Sequence, residues 1–443
     1  MKTWIIAFAA AICAAMAYAQ STTQTVQVPF TVPAQPATVP VTVTVTPTSV
    51  TIGDVVIPVP TASTPVCGAA PQSTTSTSAC PVGQIGGLVS TTTYGSAPYP
   101  TCWVPTTTQS GLVCTPVVVP PSVYARPAGN TGTGLYVAGG RLNNPDGTEF
   151  RIRGVNRNHY DSNSDAGIAK AGFNAVREFL GTQYGRSNQD MINYMSVYPR
   201  AGIVPVITLF NGKSDPTCDR NGTATLQANV VNYVSNASSW TAFNKTGVLN
   251  IANEWGPSGS AVWRDQYISA ISALRAAGYT MPLLIDSGGC GQDQADLLNY
   301  AASVAAADPQ SNVIFSTHIY GGTPNAAAAQ SWLAKLGALS KGNPALVFVV
   351  GEFGPGRNIG PSPTMLAPDD VIAAAEANGI GWMGWAWDDG NLAGWKADDN
   401  WFSMTNGNNG GLGSYNTSAD LTKFGLDIVS QLSKYPPVKA KVF

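Results

Sequence analysis

From about Gly134 onward the chain alternates short apolar runs with segments of helical length, and few folds accommodate eight such alternations in roughly 300 residues. The runs occupy 151–156, 174–180, 204–210, 248–254, 283–287, 313–320, 346–353 and 381–387. Between them lie helical stretches, clearest at 260–278, where Tyr267, Ile271 and Leu274 recur at helical spacing and Gly278 ends the pattern. Segments 326–339 and 369–378 behave alike. This alternation predicts an α/β fold of the (β/α)8 TIM-barrel type, in which chemistry sits at the C-terminal ends of the strands. A doubly wound open sheet competes, but no Gly-rich nucleotide turn follows the first strand. Ahead of the barrel, Tyr136-Val137-Ala138 and Glu149-Phe150-Arg151 flank Asp146-Gly147, a hairpin signal expected to seal the barrel bottom.

Residues 1–19 have the order of a secretory signal peptide: Lys2, an apolar stretch from Trp4 to Ala17, then Ala17-Tyr18-Ala19 before Gln20. The stretch is short for a membrane span, and no later run is apolar enough to be one, so a secreted, extracellular product is expected. Residues 20–128 are rich in Thr, Pro, Ser and Val, with Asp54 and Arg126 their only charges; they read as a small disulfide β module or a glycosylated stalk. Residues 129–443 form the expected catalytic domain. Of seven cysteines, Cys13 leaves with the signal. An even set in a secreted chain reads as disulfides, with Cys67, Cys80, Cys102 and Cys114 pairing among themselves in an order left open, and Cys218 pairing with Cys290. Asn221, Asn236, Asn244 and Asn416 begin glycosylation sequons.

A net charge of −2 with 11% charged residues offers no basic footprint for nucleic acid and no patch for a membrane surface. A neutral polymer such as a polysaccharide suits it better, because the 11 Trp can stack on the apolar faces of sugar rings, although most are expected in the core. With His159 and His318 the only histidines, a multi-histidine metal site is excluded, and no redox, nucleotide or metal cofactor is indicated. The stretch 407–413 lacks the Lys and Ser/Thr of a phosphate loop. Asp286-Ser287-Gly288-Gly289 looks like the nucleophile segment of chymotrypsin-like proteases, but the β-barrel context and His-Asp pair are missing. A monomer is expected.

Glu254 and Glu352 each end one of the apolar runs. An ionised carboxylate is almost never buried at such a place unless it is paired or used, and paired carboxylates are the chemistry of glycoside hydrolysis. The segments Arg153-Gly154-Val155-Asn156, Ile251-Ala252-Asn253-Glu254-Trp255, His318-Ile319-Tyr320, Gly351-Glu352-Phe353-Gly354 and Gly381-Trp382 through Trp387 follow one another at barrel spacing. In these the chain resembles glycoside hydrolase family 5, most closely its bacterial-type endo-β-1,4-mannanases, from about Gly134 to the C-terminus.

That resemblance implies a retaining double displacement with Glu254 as acid/base and Glu352 as nucleophile. Arg177 would hold Glu352 ionised, His318 and Tyr320 would complete the hydrogen bonding, Asn253 would reach the sugar 2-hydroxyl, and Trp387, or alternatively Trp385, would floor the subsite. Arg177 beside Glu178 also admits a plain surface ion pair, His318 a core histidine, and Trp387 barrel packing. The chain departs from the family at Phe210-Asn211, where His before Asp is usual, and at Arg157, where a His often follows the first-strand Asn; both places are expected to line the cleft. His159 matches a second family histidine. The implied activity is a secreted β-mannanase, with a cellulase or β-glucanase of the same family, or a non-catalytic glycan-binding wall protein, as alternatives.

Overall fold

The computed structural model describes residues 123–443 apart from 158–161, 181–186, 210–223, 321–322, 356–365, 389–401 and 409–411, with backbone alone at 162–163, at 224 and in strands within 22–116. Two compact units, Met1–Pro120 and Pro121–Phe443, divide the chain. In the first, Thr22–Val32 pairs antiparallel with Gln35–Thr46, and Gln84–Ser96 with Cys102–Pro116. The signal segment and the pairing of the four early cysteines lie outside the described residues.

In the second unit eight parallel strands close into a barrel: β1 Arg153–Arg157, β2 Ala175–Leu180, β3 Val204–Leu209, β4 Val248–Asn250, β5 Leu283–Asp286, β6 Val313–Ile319, β7 Phe348–Phe353 and β8 Gly381–Gly384, with β8 pairing back onto β1. The expected (β/α)8 barrel is thus present. Strands covered on both faces must be apolar nearly throughout, which is why each shows as a run rather than an alternation. Helices Ala261–Ala276, Ala326–Gly342 and Pro368–Ala377 fall where the spacing put them. In the first of these, the Ser260 hydroxyl accepts the Val262 amide at 3.2 Å to start the helix, and Tyr267, Ile271 and Leu274 are buried as their period requires.

The barrel bottom is apolar. Val206, Val248, Leu284, Ile314, Val349 and Met383 pack with Leu135, Val137, Leu142 and Phe150 of the preceding segment and with Val442 near the C-terminus. Each such side chain, fully buried, contributes roughly 1.5–3 kcal/mol. The sealing hairpin differs from expectation. Tyr136–Ala138 pairs with Arg141–Asn143 about Gly139-Gly140, whose φ values of 65° and 71° are those a two-residue primed turn needs. Asp146-Gly147 instead closes a second turn, beside the Asn143–Glu149 bridge. Tyr124 and Arg126 hold this hairpin: the Tyr136 hydroxyl donates to the Tyr124 carbonyl, and Arg126 lies 4.2 Å over the Tyr136 ring. Tyr124 and Arg126 thus belong to the same compact unit as the barrel.

Candidate active site

Alternation along the strands sorts the polar residues at the barrel mouth. On β1, Asn156 accepts from Arg177 at 3.1 Å, whereas its neighbour Arg157 meets Tyr198 and Asp165 in the outer layer at 2.7 and 2.6 Å. On β2, Arg177 joins the Asn156 group, and Glu178, register partner of Arg157, takes the Tyr198 hydroxyl at 2.6 Å on the outer side. Arg177 and Glu178 are both fully buried and face opposite ways, so they are not a surface ion pair.

Arg177 is the hub. Its Nη1 donates to Glu352 Oε1 at 2.5 Å, its Nη2 to Asn253 Oδ1 at 2.7 Å and Asp286 Oδ2 at 2.9 Å, and its Nε to Asn250 Oδ1 at 3.1 Å. A buried guanidinium with its fork of donors so occupied is held in one geometry, and it fixes residues from β2, β4, β5 and β7 relative to one another.

The register between β6 and β7 shifts after Thr317, so that His318 pairs with Glu352. Such a bulge re-aims side chains next to a site. The His318 ring lies against Gly291, where any Cβ would collide with it, and against Gly351, where a Cβ would crowd it and collide with the Ser316 hydroxyl. Its Nδ1 is 2.7 Å from Glu254 Oε1 and 3.6 Å from Glu352 Oε2; its Nε2 is 3.5 Å from Asp286 Oδ1. The Tyr320 hydroxyl donates to Glu352 Oε2 at 3.0 Å. Glu254 sits four residues beyond the end of β4 in a left-handed conformation, φ 49°, which for a residue with a side chain costs on the order of 1–3 kcal/mol. Its amide donates to Asp286 Oδ2 at 3.0 Å, an anchor for that turn.

Burial works against a charged imidazole, but Glu352, Asp286 and Glu254 outweigh it and push His318 up to about 10, so the ring is an imidazolium at neutral pH. Burial likewise opposes the Asp286 charge, yet Arg177 and His318 hold that carboxyl well below the usual range. Burial raises the Glu352 carboxyl, and the His318 and Arg177 cations limit the rise. Burial raises Tyr320 well above its ordinary value, with Glu352 and Glu254 adding to the effect, so its hydroxyl stays a donor. Ligand atoms of Glu254, His318 and Glu352 lie within 4.8 Å of one another, a spacing a divalent cation could use. The chemistry of the set argues otherwise, since a protonated imidazole cannot ligate and Arg177 already neutralises Glu352. The same spacing has another meaning: carboxyl groups of a retaining glycosidase stand about 5–5.5 Å apart, and those of an inverting one about 6.5–9.5 Å.

Residues 144–391 match the cellulase family, glycosyl hydrolase family 5. The chain belongs to glycoside hydrolase family 5. A mannan endo-1,4-beta-mannosidase of Cellvibrio japonicus is 30% identical over 318 residues, 67% of this chain and 70% of that protein. One from Salipaludibacillus agaradhaerens is 30% identical over 274 residues, 59% of this chain and 83% of that protein. Among solved structures, a mannohexaose complex of Thermomonospora fusca β-mannanase superposes with a TM-score of 0.56 at 27% identity, covering 70% of this chain and 98% of that one. The protein is accordingly a glycoside hydrolase, and retention is general in its family.

In this family 5 hydrolase Glu254, Glu352, Arg177, Asn253, His318 and Tyr320 are brought together. Trp387 is not with them. It is fully buried, donates from Nε1 to the Gly413 carbonyl at 2.9 Å, and packs edge-on against Phe173 and Tyr415. The reason is that β8 ends at Gly384, after which the two-residue period no longer orients side chains. Trp385 is the half-buried one, packed edge-on against Phe179 at 4.7 Å. Trp240, Trp255, Trp263, Trp332 and Trp382 are core residues, as expected of most Trp here.

Arg157 does not line the cleft either. It is fully buried on the outer side of β1 among Asp165, Glu178, Tyr198 and Asp388. Burial raises Glu178 to about 8, and Arg157 and the Tyr198 hydroxyl limit the rise. His159, Phe210, Asn211, Asn221 and Cys218 lie outside the described residues; Cys290 is disulfide-bonded. Asn250 and Asp286 were not among the residues picked from the sequence. The rule that barrel chemistry gathers at strand ends points to Asp286, which the protease-like look of its segment obscured.

Proposed function

We propose that the chain is a secreted endo-β-1,4-mannanase acting by double displacement. In the first step a Glu352 oxygen attacks the anomeric carbon, the glycosidic C–O bond breaks, and Glu254 gives its proton to the departing oxygen. In the second, Glu254 takes a proton from water, which attacks the same carbon and releases Glu352. The approach of one oxygen of each carboxyl group to within 4.8 Å carries this reading, because it fits the close spacing of a retaining pair rather than the wider one an inverting pair needs for its water. Glu352 suits the nucleophile: its two oxygens accept from Arg177 and Tyr320. Glu254 suits the acid/base: its side chain is 19% exposed against 7% for Glu352, with access to water and leaving group. The Asn253 carbonyl oxygen is committed to Arg177, which turns its NH2 into the donor available for a sugar 2-hydroxyl. Trp385 supplies the stacking surface.

The likeness to mannanases over most of the barrel supports mannan as substrate. Incubation with matched β-1,4 mannan, glucomannan and cellulose oligosaccharides should give internal cleavage of mannan at a kcat/KM at least tenfold above that on cellulose. Preference for cellulose would make it a β-glucanase, and cleavage of none would remove the hydrolytic reading. Export rests on the charge, apolar core and small-residue order of residues 1–19. Mass spectrometry of protein from the culture medium should find Gln20 at the N-terminus; a retained Met1 would refute it.

A further inference from the structure

One carboxylate of the cluster has no part in two-carboxylate chemistry. Asp286 ends β5, fully buried, with the Trp263 indole N–H donating to its carbonyl at 3.0 Å. Its side chain meets three partners at once: the Glu254 amide at 3.0 Å and Arg177 Nη2 at 2.9 Å on Oδ2, and His318 Nε2 at 3.5 Å from Oδ1. We propose that Asp286 is a positioning residue for proton transfer, fixing the Glu254 backbone and a doubly protonated His318 so that the Glu254 carboxyl carries its proton on the oxygen turned away from that ring. The inference rests on Glu254 being the acid/base.

The argument is one of tautomer and charge. His318 is faced by Glu254 from the turn after β4, Asp286 from β5 and Glu352 from β7; Arg177 from β2 and the Tyr320 hydroxyl meet Glu352, and the Tyr267 hydroxyl acts on Asp286 from the helix outside. Glu254 and Glu352 on one side of the ring want a proton on Nδ1. Without Asp286, a neutral ring protonated there would satisfy them. A carboxylate at Nε2 makes that tautomer repulsive, and only the imidazolium answers both sides. An Nδ1–H donating to Glu254 Oε1 then disfavours a proton on that oxygen and places it on Oε2. The charges close as well: Arg177 and His318 are balanced by Glu352 and Asp286, so an uncharged Glu254 leaves the buried cluster neutral. Removing the Asp286 charge would leave an excess positive charge, which favours either loss of a His318 proton or ionisation of Glu254: the first leaves a neutral ring whose tautomer is no longer fixed, so that Nδ1 can face Glu254 without a proton, and the second takes the proton of the acid itself.

The test compares the full chain with Asp286→Asn, which keeps shape and one acceptor but not charge. Histidine 15N NMR, with the His318 signals assigned against His159→Gln, should show both ring nitrogens protonated in the wild type at pH 7 and a His318 titration at least one pH unit lower in the variant. On an aryl glycoside with a poor leaving group, kcat/KM should fall on the order of 10²-fold, but by no more than about tenfold on the dinitrophenyl glycoside, whose departure needs no proton. A neutral His318 in the wild type overturns the proposal even if the variant does not fold. Equal losses on the two glycosides overturn it too. A wild type that cleaves neither glycoside would instead sink the hydrolase reading, with the NMR arm still reporting on the Asp286–His318 pair.

Discussion

Glu352→Gln should give a folded protein with no measurable turnover, a loss on the order of 10⁵-fold or more, as when a covalent nucleophile is removed. The amide is isosteric, and its oxygen still accepts from Arg177 Nη1, which now donates at 2.5 Å to a carboxylate. The Tyr320 hydroxyl, at 3.0 Å from the other position, can rotate to accept from the new NH2. The hub therefore keeps its contacts, and Arg177 keeps Asp286 as counter-charge. His318 loses the largest carboxylate influence on it, so its pKa should fall from about 10. Thermal unfolding by circular dichroism should stay within a few degrees of the wild type while kcat on mannan oligosaccharides vanishes. Residual activity within tenfold of the wild type would remove Glu352 from the nucleophile role.

Much of this was legible in the chain, for reasons that differ by element. The eight strands announce themselves because burial on both faces leaves them uniformly apolar, and helix Ala261–Ala276 because its buried face repeats at 3.6 residues. Glu254 and Glu352 stand out because a carboxylate after such a run demands a partner. The hairpin was misplaced because Gly139-Gly140 and Asp146-Gly147 both have turn chemistry, and choosing between them depends on which flanking residues cover the barrel. The choice between Trp387 and Trp385 is not legible for a different reason: periodicity holds only while the ladder lasts, and β8 is short. Arg157 was given to the cleft by its place in a motif, whereas alternation on β1 turns it outward. The contacts of Asp286, finally, join residues from β2, the turn after β4, and β6, and no local pattern reports an encounter of that range.

Glu254→Ala should separate the two half-reactions. With a dinitrophenyl β-glycoside the first step needs no acid, so Glu352 should still form the glycosyl ester. The second step has lost its base, and hydrolysis should slow on the order of 10²–10⁴-fold, the usual worth of general base catalysis. The ester then accumulates, and KM should drop along with kcat. Azide needs no deprotonation and is small enough for the space the side chain vacates. It can attack the anomeric carbon, breaking the bond to Glu352 and releasing a free carboxylate and a β-glycosyl azide, the anomer that two inversions require. Added azide should therefore raise kcat of Glu254→Ala and leave the wild type nearly unchanged, whereas Glu352→Gln, which forms no ester, should give no β-azide at all. Proton NMR of the early product decides the matter. An α-glycosyl azide from Glu254→Ala, or an α-anomer released first by the wild type from a β-linked oligosaccharide, would mean a single displacement, and the closeness of Glu254 to Glu352 would need another explanation.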